Sequence, residues 1–157
     1  MGKVLKNFTH GFAGAIARGL DDVVVAMANK SGAEIGFGVP VALSDSKDGV
    51  VPFGASHTAA KFVGVTVRNP SKTPDAYGES VGSYAANDLV DVLVRGHIVV
   101  PMASSAAGVG DAVSIVKATG AFSVGTADTM VQLENVHVSG AADGGLAEIV
   151  LNTRNLV

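Results

Sequence analysis

"NDLVDVLVRGHIVV", residues 87–100, decides the fold class. Val90, Val92 and Val94 recur at every second position, which sets them on one face of an extended chain. Leu89 and Leu93 take the opposite face, so that side is expected to be covered too. The pattern is that of a strand, and the Arg95–Gly96 pair in its middle reads as a turn between two shorter strands.

Working outward, the same period returns. "FVGVTVR" (62–68) sets Val63, Val65 and Val67 on one face, and "LAEIVLN" (146–152) aligns Ala147, Ile149 and Leu151. In "VQLENVHV" (131–138) the alternation changes phase between Leu133 and Val136, which predicts a bulge or tight turn at Glu134 and Asn135. Turn signals punctuate these runs: "NKSG" at 29–32, "SDSKDG" at 44–49, "RG" at 95–96, "ATG" at 118–120 and "SGAADGG" at 139–145. The 20 glycines fit a chain rich in hairpins and bulges, because glycine supplies positive φ without a steric penalty.

An internal echo supports the strand reading. "GDAVSIVKATGAFSV" (110–124) repeats the opening pattern, with Val113 and Ile115 in the places of Val90 and Val92 and Phe122 in that of Ile98; "GVPVALSDSKDGVVPF" (38–53) is a third, longer-turned copy. Three uneven copies predict similar hairpins in one sheet system rather than a solenoid. The expected fold is all-β, an antiparallel β-sandwich or partly closed barrel with hairpin repeats and an N-terminal arm. Residues 1–20 are assigned to the arm and 21–157 to a single β domain.

Two segments break the pattern. In "KNFTHGFAGAIARG" (6–19) and Leu20 beyond it, Phe8, Phe12, Ile16 and Leu20 recur every four residues, a helical stripe. Gly11, Gly14 and Gly19 interrupt it at ~1 kcal/mol each, so it predicts a turn or two that orders only against a covering surface. "ASHTAAK" (55–61) is the other candidate helical turn. The second irregular segment, "NPSKTPDAYGESVGSYAAND" (69–88), holds both tyrosines, Tyr77 and Tyr84, and reads either as a contact loop or as a loop lying back on its own sheet.

Composition narrows the function classes. A chain of 157 residues is most naturally one domain, and with no cysteine it has neither a disulfide framework nor a thiolate metal site. A net charge of −3 with interspersed signs gives no footprint for nucleic acid or an anionic membrane. The strongest apolar run, "VVVAMA" (23–28), is far shorter than the ~20 residues that cross a bilayer. With no matching secretory or lipidation signal, the chain reads as soluble and intracellular.

Catalytic constellations are absent from the sequence pattern. His10, His57, His97 and His137 are scattered without metal-ligand spacing. "GFG" (36–38) and "GVG" (108–110) complete no dinucleotide fingerprint, and Ser104 and Ser105 have no base near in sequence. Asn7 and Asn29 match the glycosylation sequon and are read as chance. No cofactor and no metal are expected.

Taken in order, "NFTHGFAGAIA", "GFGVPVAL", "DGVVPFGASHTAAKFVGVTVR", "YGESVGSYAANDLVDVLVRGHIVVP", "VGDAVSIVKATGAF" and "GGLAEIVLN" resemble the capsid cement, or head decoration, proteins of tailed bacteriophages, from about Asn7 to Asn152. The resemblance implies a non-enzymatic module made in the bacterial cytoplasm and mounted on the outside of an icosahedral head. There it would staple neighbouring major capsid proteins against the pressure of packaged DNA, as a homodimer or homotrimer. It also implies contact residues: Phe8, Phe12, Ile16 and Arg18 of the arm against the capsid, and Tyr77 and Tyr84 against the capsid or a neighbouring copy. The competing readings are a tail-tube or other virion subunit, which would polymerise, and a β-sandwich hydrolase or carbohydrate-binding module, which the absence of tryptophan disfavours.

Overall fold

A computed structural model of the chain describes residues 10–72 and 82–153. It is built almost entirely of antiparallel strands: β1 (Ile16–Ala28), β2 (Ile35–Gly36), β3 (Pro40–Leu43), β4 (Val50–Pro52), β5 (Phe62–Thr66), β6 (Ser83–Tyr84), β7 (Leu89–Pro101), β8 (Ala112–Val116), β9 (Phe122–Val124), β10 (Met130–Asp143) and β11 (Leu146–Leu151). Nine of them form one curled sheet in the order β4-β3-β5-β7-β11-β10-β8-β9, with β1 added to the side of β7; β2 and β6 make a separate pair. The two ends of the sheet curl back toward β7. A bridge from Asn29 to Val50 ties the end of β1 to β4, and one from Met102 to Phe122 ties the end of β7 to β9.

The core follows from the alternation in β7. Val90, Val92 and Val94 enter one cluster with Ile35, Phe37, Val41, Val50, Val63 and Tyr84. Leu93, on the other face, enters a larger one with Phe53, Phe62, Ile115, Phe122, Leu133 and the β11 residues Ala147, Ile149 and Leu151. Each such side chain withdrawn from water contributes about 1.5–3 kcal/mol, so β7, apolar on both faces, is the centre of the molecule's stability. The expectation that its second face is covered holds for Leu93, while Leu89 stays exposed at the strand's start.

The hairpins fall where the echo placed them at 38–53, as β3–β4, and at 110–124, as β8–β9. Between β10 and β11, Asp143 pairs with Leu146 across Gly144 and Gly145, both at positive φ, the geometry of a two-residue primed turn. The predicted irregularity at Glu134–Asn135 is a register shift between Gln132 and His137 against β8. Leu133 and Val136 thereby both reach the larger cluster.

Three expectations are corrected. Arg95–Gly96 is not a turn: β7 runs through it, and Gly96, at φ 122°, absorbs a bulge in the neighbouring strand. Val63 and Val65 do not share a cluster, because β3 pairs Val41 with Gly64 but Ala42 with Phe62, and the residue skipped on β5 reverses the phase. The four-residue stripe is not helical either. Phe12 lies in a turn closed by the Ala15 N–H on the Phe12 carbonyl at 3.1 Å, and Ile16 and Leu20 belong to β1; Phe8 lies outside the described residues. "ASHTAAK" does contain a single 3-10 turn, Ala59–Lys61.

Candidate functional site: the free edge of β1

Among the described residues, β1 has nine exposed and four half-buried positions and none that is fully buried. Its strand partner among the described residues is β7, with Ile16 opposite Ile98 at one end and Ala28 opposite Leu89 at the other. β7 is flanked on its other side by β5 and β11, so β1 hangs at the margin of the sheet. Such an edge presents a row of backbone donors and acceptors with no ladder partner. Side chains on it are open as well: Ile16 is 40% exposed, Val24 41%, Val25 36%, and Leu20 fully so.

The strand is divided by a large bulge. Arg18 pairs with His97 and Val23 with Arg95, so four residues of β1, Gly19 to Asp22, stand against Gly96 alone. The fold locks the bulge from below. Asp22 sits over Gly96 so closely that a Cβ there would lie 2.1 Å from Asp22 Oδ1, and the His97 N–H donates to that oxygen at 3.3 Å. Arg95 Nη2 donates to Asp21 Oδ2 at 2.7 Å. With both acids turned to β7, Leu20 is the residue pushed outward, in keeping with the use of bulges to re-aim a side chain.

Beyond the bulge, the N-terminal stretch is fastened to the sheet. Gly14 N–H donates to the Val99 carbonyl at 2.8 Å, Arg68 N–H to the Gly14 carbonyl at 2.8 Å, and Val99 N–H to the Ala15 carbonyl at 2.9 Å. Gly14 is at φ 78°, and a Cβ there would meet Arg68 N, Gly38 N and Phe37 Cβ at 2.8–2.9 Å, so only glycine fits this crossing. Phe12 is 41% exposed and carries the Arg68 guanidinium 4.7 Å from its ring centroid. Glu148 Oε1 collects three strands at one oxygen: it accepts from Arg18 Nε at 2.9 Å and Ser139 Oγ at 2.9 Å and lies 3.1 Å from His97 Nδ1. His10 Nε2 reaches the Ala141 carbonyl at 2.6 Å.

The expected contact residues thus separate. Ile16 and Arg18 lie in the N-terminal half of β1, and Phe12 lies in the turn before it. Tyr77 and Phe8 lie outside the described residues. Tyr84 does not belong with them: it is fully buried, packs edge-on against Phe37 at 5.5 Å and donates its hydroxyl to the Val67 carbonyl at 2.6 Å. Burial pushes the phenol's pKa up to about 12. Of the two readings of the 69–88 segment, its part from Gly82 onward lies back on the sheet.

Leu20 was read as part of a helical stripe, and Val24 and Val25 only as a run too short for a membrane. The signal was there: "VVVAMA" is six apolar residues, three of them β-branched, with no charge and no proline, a sequence that a lone soluble domain normally protects. Asn29, just after it, is buried, and its amide donates to the Ala33 and Ala85 carbonyls at 2.7 and 3.0 Å, so this sequon is committed to the fold.

Other surfaces offer less. Two open clefts, of 310 and 210 Å³, lie beside β8–β9 and beside Pro101. The first contains a carboxylate, Asp111, which already accepts from the Gly108 N–H at 2.8 Å. Glu148, His97 and Ser139 do not form a relay, since the carboxylate and the hydroxyl both meet Nδ1. Among the described residues there is no cluster of three histidines or acids suited to a metal ion.

Comparison with known proteins gives a likeness of fold and a family. A chain from a solved structure described as the capsid of Myoviridae Phage XM1 superposes with a TM-score of 0.71 at 16% identity, over 96% of this chain and 95% of that chain, a likeness of fold. No match is found among curated proteins. A family model described as "Structural cement protein (E217 gp24/Pam3 gp6)" matches residues 2–152. With nearly the whole length covered, the chain belongs to the phage structural cement protein family.

Proposed function

We propose that this protein is a non-enzymatic module of the virion that sits on the outer surface of an icosahedral head and staples neighbouring major capsid proteins, stiffening the shell against packaged DNA. The observation that carries the reading is the β1 edge. The outer edge of β1, an outward leucine on a locked bulge and a half-exposed Phe12 and Ile16 put apolar side chains in water beside Arg18 and Asp21. In a monomer such a margin is a liability; in a module whose work is attachment it is the attachment site.

The N-terminal half of that edge, with Phe12, Ile16, Arg18 and Leu20, is the surface assigned to the capsid, and residues 1–20 act with it as the contact arm. Because the stretch from Gly14 onward is held by backbone hydrogen bonds, binding there requires little new ordering of these residues. A modest contact suffices if the protein acts as a small homo-oligomer, since joining two such contacts raises avidity by ~10²–10⁴. The acceptor surface is expected on the expanded shell, whose state the protein would stabilise by differential affinity.

Cosedimentation with undecorated, expanded heads tests the reading. The native chain should bind saturably, and Leu20→Asp should weaken binding by ~10-fold or more at unchanged melting temperature, as for a desolvated central contact. Absence of binding by the native chain contradicts the cement role; equal binding by Leu20→Asp moves the contact elsewhere. Equal affinity for immature shells contradicts the preference for the expanded state.

A further inference from the structure

Residues 10–15, the stretch that runs into β1, lie on the sheet without joining its core. Gly14 alone among them is fully buried, and it has no side chain; none of the six enters either hydrophobic cluster. Hydrogen bonds hold the stretch at two points. His10 Nε2 reaches the Ala141 carbonyl at 2.6 Å, and because a carbonyl only accepts, that nitrogen carries the proton. Further on, the Gly14 N–H donates to the Val99 carbonyl, the Val99 N–H to the Ala15 carbonyl and the Arg68 N–H to the Gly14 carbonyl. The next ties along the chain, Ile16 opposite Ile98 and Arg18 on Glu148, belong to β1 itself.

The surface beneath is cut to receive this stretch. Gly140 of β10 has no positive φ that would require glycine, yet a Cβ there would lie 2.9 Å from His10 Cε1 and equally close to Glu148 Cβ. At Gly38 a Cβ would meet the Gly14 nitrogen at 2.9 Å and Ala13 Cβ at 3.2 Å. Docking is therefore specific, but it is weakly anchored. A hydrogen bond broken in water is largely replaced by one made to water, whereas buried apolar surface has no such substitute. Segments with few buried apolar contacts open at free energies below that of global unfolding.

We infer that residues 10–15 form a strap that opens as one unit while the sheet beneath stays folded, with His10 as its latch. Gly14 makes it a unit, since it is bonded to β7 and to Arg68 at once, and lifting it breaks both ties and frees the Val99 N–H and carbonyl. The turn closed by the Ala15 N–H on the Phe12 carbonyl moves with it. The hinge lies between Ala15 and Ile16. Opening carries Phe12 off the Arg68 guanidinium, while Ile16, Arg18 and Leu20 stay in β1. The use of the strap alone rests on the cement reading: of the residues assigned to the capsid, Phe12 rides on a movable element and the others on a fixed one.

Amide hydrogen exchange of the free protein, followed residue by residue by NMR, tests the inference. Val99 turns its backbone groups to the strap, whereas its neighbours Ile98 and Val100 turn theirs to β11, opposite Ile149 and Ala147. Corrected for intrinsic rates, Val99 should exchange ~10²-fold or more faster than either neighbour, and Gly14 and Arg68 should share its opening constant within ~3-fold. Replacing the latch, His10→Ala, should speed all three amides by one common factor of ~2–10. Val99 as slow as Ile98 and Val100 would mean that the stretch opens only with the sheet. Unrelated constants at the three amides would mean that it frays residue by residue, and unchanged exchange in His10→Ala would remove the latch; each result overturns the inference. A protein that coats heads but shows no separate opening would lose the strap and keep the cement reading, and one that opens as described but ignores heads would do the reverse.

Discussion

β1 and β7 are the same length, thirteen residues each, and pair with one another from end to end, yet one is almost wholly buried and the other almost wholly open. Their apolar content does not explain the difference, since "VVVAMA" is at least as hydrophobic as "LVDVLV". Position does. β7 has strands on both sides and clusters on both faces; β1 has β7 on one side and, among the described residues, no strand on the other. A strand can be apolar because the fold needs it inside or because a partner does, and the two are told apart by sheet order alone.

Substitution should expose the contrast first through stability. Truncating Leu93 on β7 to alanine removes a core side chain and is expected to cost about 2–5 kcal/mol, read by denaturant unfolding, whereas Val24→Ala on β1 should cost about 0.5 kcal/mol or less. Comparable losses at both would mean that β1 is buried in the isolated protein after all. Next in size is the joint between the strands. Gly96→Ala would force a Cβ against Asp22 at a positive φ, a strain of about 1–3 kcal/mol, and should shift the amide resonances of residues 19–22 more than those of the β8–β9 hairpin.

Glu148→Gln is expected to have a smaller effect, about 1 kcal/mol, because it removes the charge that draws Arg18 and His97 to one oxygen while Arg18 remains largely in water. Its mark should be faster hydrogen exchange at residues 16–18 with β7 beyond Gly96 unaffected. Smallest is a pH effect at the turn that meets the end of β1. The Ser46 hydroxyl, then Lys30 and Ser44, hold Asp48 at about 2, below the ordinary 3.8, so the unfolded chain takes up its proton first as pH falls. The 44–49 turn should therefore lose stability between pH 4 and pH 2 and keep it above, an effect that Asp48→Asn would abolish.

Much of β7, β11 and β10 was legible because their side chains alternate without interruption, or with a single phase change that Leu133 and Val136 reveal. Gly96 was not, because a glycine after a charged residue looks locally like a turn, and only the extra residues opposite it, on a strand distant in sequence, show that it receives a bulge. Tyr84 misled for a related reason: it stands in a polar stretch, and its burial follows from β6 pairing with β2. The N-terminal stretch was not legible as strand: Ile16 and Leu20 belong to β1 and Phe12 to the turn before it, because the pairing of β1 with β7 is made by residues distant in sequence.

Hydrogen–deuterium exchange of the protein alone and bound to expanded heads tests the central claim most directly. The amides of β1 that face away from β7 should exchange fast in the free protein and become protected on the shell, while those of β7, already slow, should not change. Protection confined to other strands, with β1 exchanging as freely on the head as off it, would contradict the assignment of the β1 edge as the surface that binds.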